Sequence, residues 1–325
     1  MLKEPHFNRV IELMLKAHGL DYHYIPGALM RPIINSRWHL ELPYIPEEKW
    51  KQKNFRLVIH AQDFIHFFGN LCSELFWLEQ NLTPEQQKKV IFIHWDHSLG
   101  QVYEGLISCV EFATHSYEFV NGLKDRYNDW KDVHTKNIKY NWLCLNGRPR
   151  DYRQTVYNLL RNEESGFVSH SVFNPVTVHP YQKYNFDNVD NFVQLKSVYQ
   201  SARSSIVTES LYQDVGGIIT EKTLSAIAAK HPFMCIGHKG IHREIEERGF
   251  KLYNNLFDLD YDNESNETRL ASAIEKNLAV LREPINLDLY ADQVDYNFDF
   301  LMNDYTKSIR QRAENELAVV VKKGF

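Results

Sequence analysis

Apolar residues along the chain fall into short blocks whose spacing switches between two periods. FRLVIH (55–60) and KVIFIH (89–94) are β-branched runs bounded by polar residues, the pattern of buried strands. KYNWLCLN (139–146), GFVSHSVFN (166–174), SSIVTES (204–210) and PFMCIG (232–237) continue the series. Between them, apolar positions recur at helical spacing in FFGNLCSELFWLEQNL (67–82), GQVYEGLISCVEFATHSYEFVNGL (100–123), DYRQTVYNLLRN (151–162), TEKTLSAIAA (220–229) and GIHREIEERG (240–249). Thr83-Pro84-Glu85 is a helix-start signal, and Gly249 a helix stop. The N-terminal MLKEPHFNRVIELMLKAHG reads as an amphipathic helix. From Asp288 onward, Leu289, Val294, Phe298, Leu301, Tyr305, Ile309, Leu317 and Val321 keep a helical period.

Strands alternating with helices predict an α/β fold whose parallel sheets are covered on both faces. KDRYNDWKDVHTKNIK (124–139) is polar and mixed in charge, and a fresh strand–helix series starts after it. The expected organisation is two Rossmann-like domains, 1–135 and 136–287, facing each other across a cleft. A helical segment, 288–325, is expected to pack back on the first domain.

Composition narrows the class. The chain has 325 residues, 43% apolar and 24% charged, enough for sizeable cores. A net charge of −5 supplies no global field for nucleic acid or anionic membrane, which leaves only a local basic groove for either. Cys72, Cys109, Cys144 and Cys235 are far apart in apolar runs and read as buried thiols of a reducing compartment. No stretch reaches the ~18 apolar residues of a membrane span, and no export signal opens the chain, so a cytoplasmic location is expected.

In open α/β sheets, chemistry gathers in the loops beyond the carboxyl ends of strands. NGRPRDYRQ (146–154) sets Arg148, Arg150 and Arg153 at the start of a helix, where three guanidiniums oppose the helix dipole. An anion held between them, or a solvated turn with a pair to Asp151, accounts for that pattern. In GGIITEKTLSAIAA (216–229), Thr220 is a candidate N-cap, with Glu221 and Lys222 in the first turn. Lys222 suits a diphosphate and Glu221 a ribose hydroxyl; the bland alternative is an ordinary solvated first turn. TES (208–210) adds Glu209 and Ser210 at a strand end, for a sugar hydroxyl or for balancing the arginines.

Three pieces in order, LNGRPRDYR, ITEKTLSAIAAKHPF and RGFKLYNNLFDLDYD, resemble the donor half of GT-B glycosyltransferases. The α-1,3-fucosyltransferase type and bacteriophage glycosyltransferase-like proteins are the nearest in pattern. The resemblance spans about residues 140–285. It implies that 136–287 binds a nucleotide-diphosphate sugar, with Glu221 on the ribose and Lys222 on the diphosphate. Arg148 or Arg153 would also neutralise the phosphates, and the domain 1–135 would take the acceptor. Glu209 and Ser210 stand where the family has a Glu-Asn-Ser-like element, but the middle Asn is missing. Such enzymes need no metal, so no cofactor beyond the donor sugar is implied; charge stabilisation of the leaving diphosphate would be the main catalytic contribution.

The base that takes the acceptor's proton is expected at a strand end of the first half. HAQDFIH contains His60, Asp63 and His66, and HWDHS contains His94, Asp96 and His97. Asp96 is favoured, then Asp63, then His97. His60, His94, Asp96 and His97 are a weaker candidate for a metal site. DLDYD (258–262) contains Asp-x-Asp pairs, which some other glycosyltransferases use to hold Mn²⁺, but in the resembling proteins this segment follows the donor fold and is expected to be structural. The acceptor is expected to be a glycan or a hydroxymethylated base in duplex DNA; the latter demands base extrusion and a cationic groove. A non-catalytic nucleotide- or carbohydrate-binding module is the competing class. The sequence sets no oligomeric state.

Overall fold

The computed structural model describes residues 6–28, 31–33, 37–39, 44–61, 67–68, 71–95, 99, 103–174, 188–214 and 217–323. The chain divides into two compact units, Met1–Tyr117 with Lys307–Phe325, and Glu118–Thr306.

The first unit opens with helix α1 (Phe7–Ala17), which buries Phe7, Val10, Ile11, Met14 and Leu15 along one stripe. Strands β1 (Asp21–Ala28), β2 (Phe55–Ala61), β3 (Val90–His94) and β4 (Ser108–Glu111) pair in that order, all parallel. Because strand side chains alternate between faces, Leu57, Ile59, Val90 and Phe92 share one face with Leu75 and Leu78. His60, of opposite parity, meets Phe7 of α1 at 5.1 Å between ring centroids. Helix α2 (Thr114–Asp125) follows β4. The segment Pro84–Gln87 is a short helix closed by a Thr83/Gln86 capping box, as its start signal predicts.

The second unit repeats the theme with a different order. Strands β5 (Tyr140–Cys144), β6 (Gly166–Val168), β7 (Ala202–Thr208) and β8 (Phe233–Ile236) form an all-parallel sheet in the order β6-β5-β7-β8. Helix α3 (Asp151–Leu160) joins β5 to β6, and α4 (Glu221–Ala228) joins β7 to β8. Right-handed crossovers in this order put α3 and α4 on opposite faces. Helix α5 (Ile241–Glu247) follows β8, α6 (Asn266–Arg282) packs on α3 and β5, and α7 (Ala291–Asn303) packs on α4. Gly249 ends the α5 turn at φ +102°, a conformation that favours glycine, and an added Cβ would stand 2.7 Å from Phe300 Cζ. The last helix, α8 (Tyr305–Lys323), belongs to the first unit from Lys307 onward and buries Tyr305, Ile309, Ala313 and Leu317 at four-residue spacing. Among the described residues no helix is long and apolar enough to cross a membrane.

Two parallel four-stranded sheets flanked by helices make this an α/β protein with two Rossmann-like halves, as the alternation predicts. Three local expectations are corrected. The stretch 100–123 is not one helix, because Ser108–Glu111 is drawn into the sheet by pairing with Ile91–His94. Phe67–Phe68 and Leu71–Cys72 pair antiparallel before the helix Ser73–Asn81 begins. The run 166–174 stops as a strand at Val168 and turns back, with His170 and Asn174 bridged. Strand β1 was not foreseen, since Pro26 and Gly27 argue against a strand; it lies at the sheet edge, where proline is tolerated.

Two outcomes test this packing. Gly166 lies opposite Trp142 in the ladder, and a Cβ there would enter the indole. Gly166→Ala is therefore expected to cost about 1–3 kcal/mol in denaturant unfolding. His60 is fully buried, and burial, aided by His115, His94 and His6, holds its pKa down to about 3. The unfolded chain takes up that proton below about 6.5, so His60 contributes full stability above that pH. Between pH 6.5 and 3 the contribution drains at about 1.4 kcal/mol per pH unit. His60→Gln should flatten the acid limb of a stability–pH curve.

Candidate functional site at the strand switch of the second sheet

The two sheets differ in one respect that decides where a ligand fits. The first runs in strictly sequential order, whereas the second reverses direction after β5, whose neighbours are β6 and β7. The connections leaving β5 and β7 therefore diverge to opposite faces, opening a crevice at their carboxyl ends. The loop after β5 is NGRPR and the loop after β7 begins with Glu209 and Ser210. The first sheet has no such reversal.

Asn146 ties three strand ends together. Its N–H donates to Ser169 Oγ at 3.0 Å, its side-chain amide to Ser169 O at 3.0 Å, and its Oδ1 accepts from Thr208 Oγ1 at 2.7 Å. Arg153 reaches from the first turn of α3 to the Thr208 and Glu209 carbonyls at 3.1 and 2.9 Å. It is 2% exposed, so its guanidinium is a bracket between strand end and helix. Arg153, one of the two arginines expected on the phosphates, thus makes scaffold contacts here. Arg148 and Arg150 lie exposed on the same loop. Tyr152, whose phenol burial keeps protonated, donates to the Glu209 carbonyl. Its ring stacks on Tyr212 at 5.2 Å, with Arg153 beside Tyr152 and Arg269 over Tyr212. Neither tyrosine nor Arg269 was singled out from sequence; a tyrosine directly after the arginine loop was the available signal.

Glu209 is fully buried, and its carboxylate is surrounded by donors. Oε1 accepts from Thr220 N at 3.1 Å and Thr223 Oγ1 at 2.6 Å; Oε2 accepts from Ser210 N at 3.1 Å and Thr220 Oγ1 at 2.5 Å. Those bonds fasten the end of β7 to the start of α4. A negative group at a helix N-terminus also complements the dipole. All four of these bonds join Glu209 to the scaffold, where a sugar contact or a role balancing the arginines was expected. Thr220 is the N-cap, as predicted, its Oγ1 accepting from Lys222 N at 3.4 Å.

Lys222 stands above this knot. Its ammonium donates to Ser210 Oγ at 3.0 Å, Thr220 Oγ1 at 3.1 Å and Glu221 Oε1 at 2.7 Å. Three donors meet three acceptors, while the Glu221 and Lys222 side chains each remain 25% exposed. The structure thus brings Ser210, Thr220, Glu221 and Lys222 into one contact set at the carboxyl edge. At the far end of α4, His134 and Lys136 bond the Ala228 and Ala229 carbonyls at 2.9 and 2.8 Å.

Other candidates fall elsewhere. Asp96, Asp63, His97, His66 and Gly216 lie outside the described residues. His60 and His94 are buried at their strand ends, His60 bonded to Thr114 Oγ1 at 2.9 Å. Of DLDYD, Asp262 turns inward to accept from Gly240 N and His242 N at 3.2 and 3.0 Å, capping α5. Asp258 and Asp260 line a cavity of about 920 Å³ with Lys239, Arg243 and Asn254. That cavity has neither Lys222 nor the arginine loop in its lining, so volume and chemistry point to different places; charge and strand topology favour the switch point. Among the described residues no three His, Cys, Asp or Glu side chains converge as a metal would require.

Comparison with protein-family models, curated proteins and solved structures gives no match for this chain. The protein is thus defined by its fold and site: a two-unit α/β protein with a cation-bearing helix start at a strand switch.

Glu209→Gln would turn one acceptor oxygen into a donor facing two donors. It should cost about 2–3 kcal/mol in denaturant unfolding.

Proposed function

We propose that this chain is a glycosyltransferase of GT-B type that uses a nucleotide-diphosphate sugar, with the donor bound at the strand switch of the second sheet. The observation that carries the reading is Lys222, held by Ser210 and Thr220 at the start of α4. A diphosphate competing for that ammonium would displace Glu221 from it, and Glu221 is the acceptor proposed for the ribose hydroxyls. Arg148 and Arg150 supply further charge from the neighbouring loop, the part that Arg153 is too buried to play. As the bond from the anomeric carbon to the diphosphate oxygen breaks, these cations and the α4 dipole stabilise the developing charge. The acceptor oxygen forms the new bond and its proton passes to a base, for which Asp96, Asp63 and His97 remain the candidates. The acceptor is a hydroxyl of a glycan or of a hydroxymethylated base in DNA, and the reading requires no metal.

Thermal-shift titration with GDP, UDP, CDP, ADP and their sugars, in EDTA and in Mn²⁺, tests it. One nucleotide at ~100 times its Kd should stabilise the protein by about 2.7 kcal/mol in EDTA. Lys222→Ala should remove most of that shift while leaving the fold intact. A shift that requires Mn²⁺ and ignores Lys222 would move the site away from α4. Binding without transfer or donor hydrolysis would favour a non-catalytic module.

A further inference from the structure

An aromatic cluster occupies the turn after β6, beside the arginine loop. Phe173 stacks on Tyr157 of α3 at 5.6 Å and 18° and on His170 at 5.0 Å and 29°. Tyr157 and His170 are themselves 5.5 Å apart. Two partners on opposite faces of Phe173 would be about twice as far from each other, so both lie on one side of it. Among the described residues no ring stacks on the other face, and Phe173 is 55% exposed and its neighbour Val172 65%. The turn that carries the ring is held in place. His170 N and Asn174 N exchange bonds with each other's carbonyls at 2.9 and 3.0 Å, and Asn174 Nδ2 donates to Val168 O at 2.8 Å.

The turn is also joined to the loop of Arg148 and Arg150 through the two Asn146–Ser169 bonds. Arg150 and Tyr157 are seven residues apart across the start of α3, about 10 Å along the axis, and helical side chains lean back toward the N-terminus. A flat apolar face about 10 Å along the axis from exposed guanidiniums complements a flat aromatic group carrying phosphates. His170, on the covered side of Phe173, is itself only partly bonded. Its Nδ1 accepts from Val172 N at 3.2 Å, so the proton is on Nε2, which is buried without a hydrogen-bond partner.

We propose that the open face of Phe173, backed by Tyr157 and His170, is the stacking platform for the base of the nucleotide, whose phosphates reach toward Arg148 and Arg150. The proposal rests on the nucleotide reading given above, adds to it the subsite that sees the base, and moves the ribose from Glu221 to the space between Phe173 and the arginine loop. Every base has a π-face, so the platform contributes affinity for purines and pyrimidines alike.

The test is equilibrium binding of GDP, UDP, CDP, ADP and inorganic pyrophosphate to the full chain, comparing wild type with Phe173→Ala and Phe173→Trp. Phe173→Ala should weaken the nucleotide that binds by about 5- to 150-fold, the range of a lost base–aromatic stack. Pyrophosphate binding should not change, and Phe173→Trp should keep nucleotide affinity. An exposed position makes both variants compatible with folding, which melting curves check. Nucleotide binding equal in wild type and Phe173→Ala would overturn the platform and leave the nucleotide reading standing. An equal loss for pyrophosphate would mean a displaced arginine loop, and so also overturn it. Loss of an oligosaccharide or of self-association in Phe173→Ala, with nucleotides unaffected, would assign the face to another occupant. No binding of any nucleotide by wild type would remove both ideas together.

Discussion

Burying a carboxylate costs several kcal/mol unless its lone pairs are met by donors, and the end of β7 is organised around that constraint. Glu209 collects two backbone amides and two threonine hydroxyls, all from its own strand end and the first turn of α4. Removing any one donor leaves acceptor capacity unsatisfied in the interior, so the four contacts hold one another in place. The consequence reaches beyond stability. Thr220 is fixed as N-cap, Ser210 is turned toward α4, and the two together give the Lys222 ammonium two of its three partners. The cation is aimed by a buried anion one layer beneath it.

Strand order supplies the second constraint. The two sheets have the same strand number and direction, yet only one reverses its winding. At that reversal the backbone opens, and three strand ends need a common tie, which Asn146 provides. Arg153 and Tyr152 clamp the same gap from α3, so the arginine-rich loop divides its labour. Its buried member braces the crevice, while Arg148 and Arg150 stay at the surface. A division of this kind explains how a loop with three guanidiniums near a helix start persists: one has been taken into hydrogen bonds with carbonyl oxygens and the others face solvent.

The elements were largely legible in the chain because their cause is local. β-Branched runs between polar bounds became strands, and TEKTLSAIAA became a helix starting after Thr220. Misreadings cluster where a long-range partner overrode the local pattern. Ser108–Glu111 sits inside a helical period but is captured by β3, and β1 carries a proline that only an edge position accommodates. Within the site, Thr220, Glu221, Lys222 and Ser210 were found from residue type and spacing. The roles of Glu209 and Arg153 were not, since a charged residue at a strand end looks the same whether it faces a ligand or the interior. Tyr152, Tyr212 and the Phe173 turn carried no motif.

Hydrophobic periodicity and turn chemistry act over a few residues, so the sequence by itself determined the α/β class, most element positions and the N-cap at Thr220. Which strands neighbour one another depends on contacts between segments tens of residues apart, and no local pattern encodes that choice. Tertiary structure alone therefore decided the order β6-β5-β7-β8 and the crevice it opens. It also decided which charges were buried: desolvation forces Glu209 and Arg153 to find partners inside, and leaves Arg148, Arg150 and the open face of Phe173 to the surface.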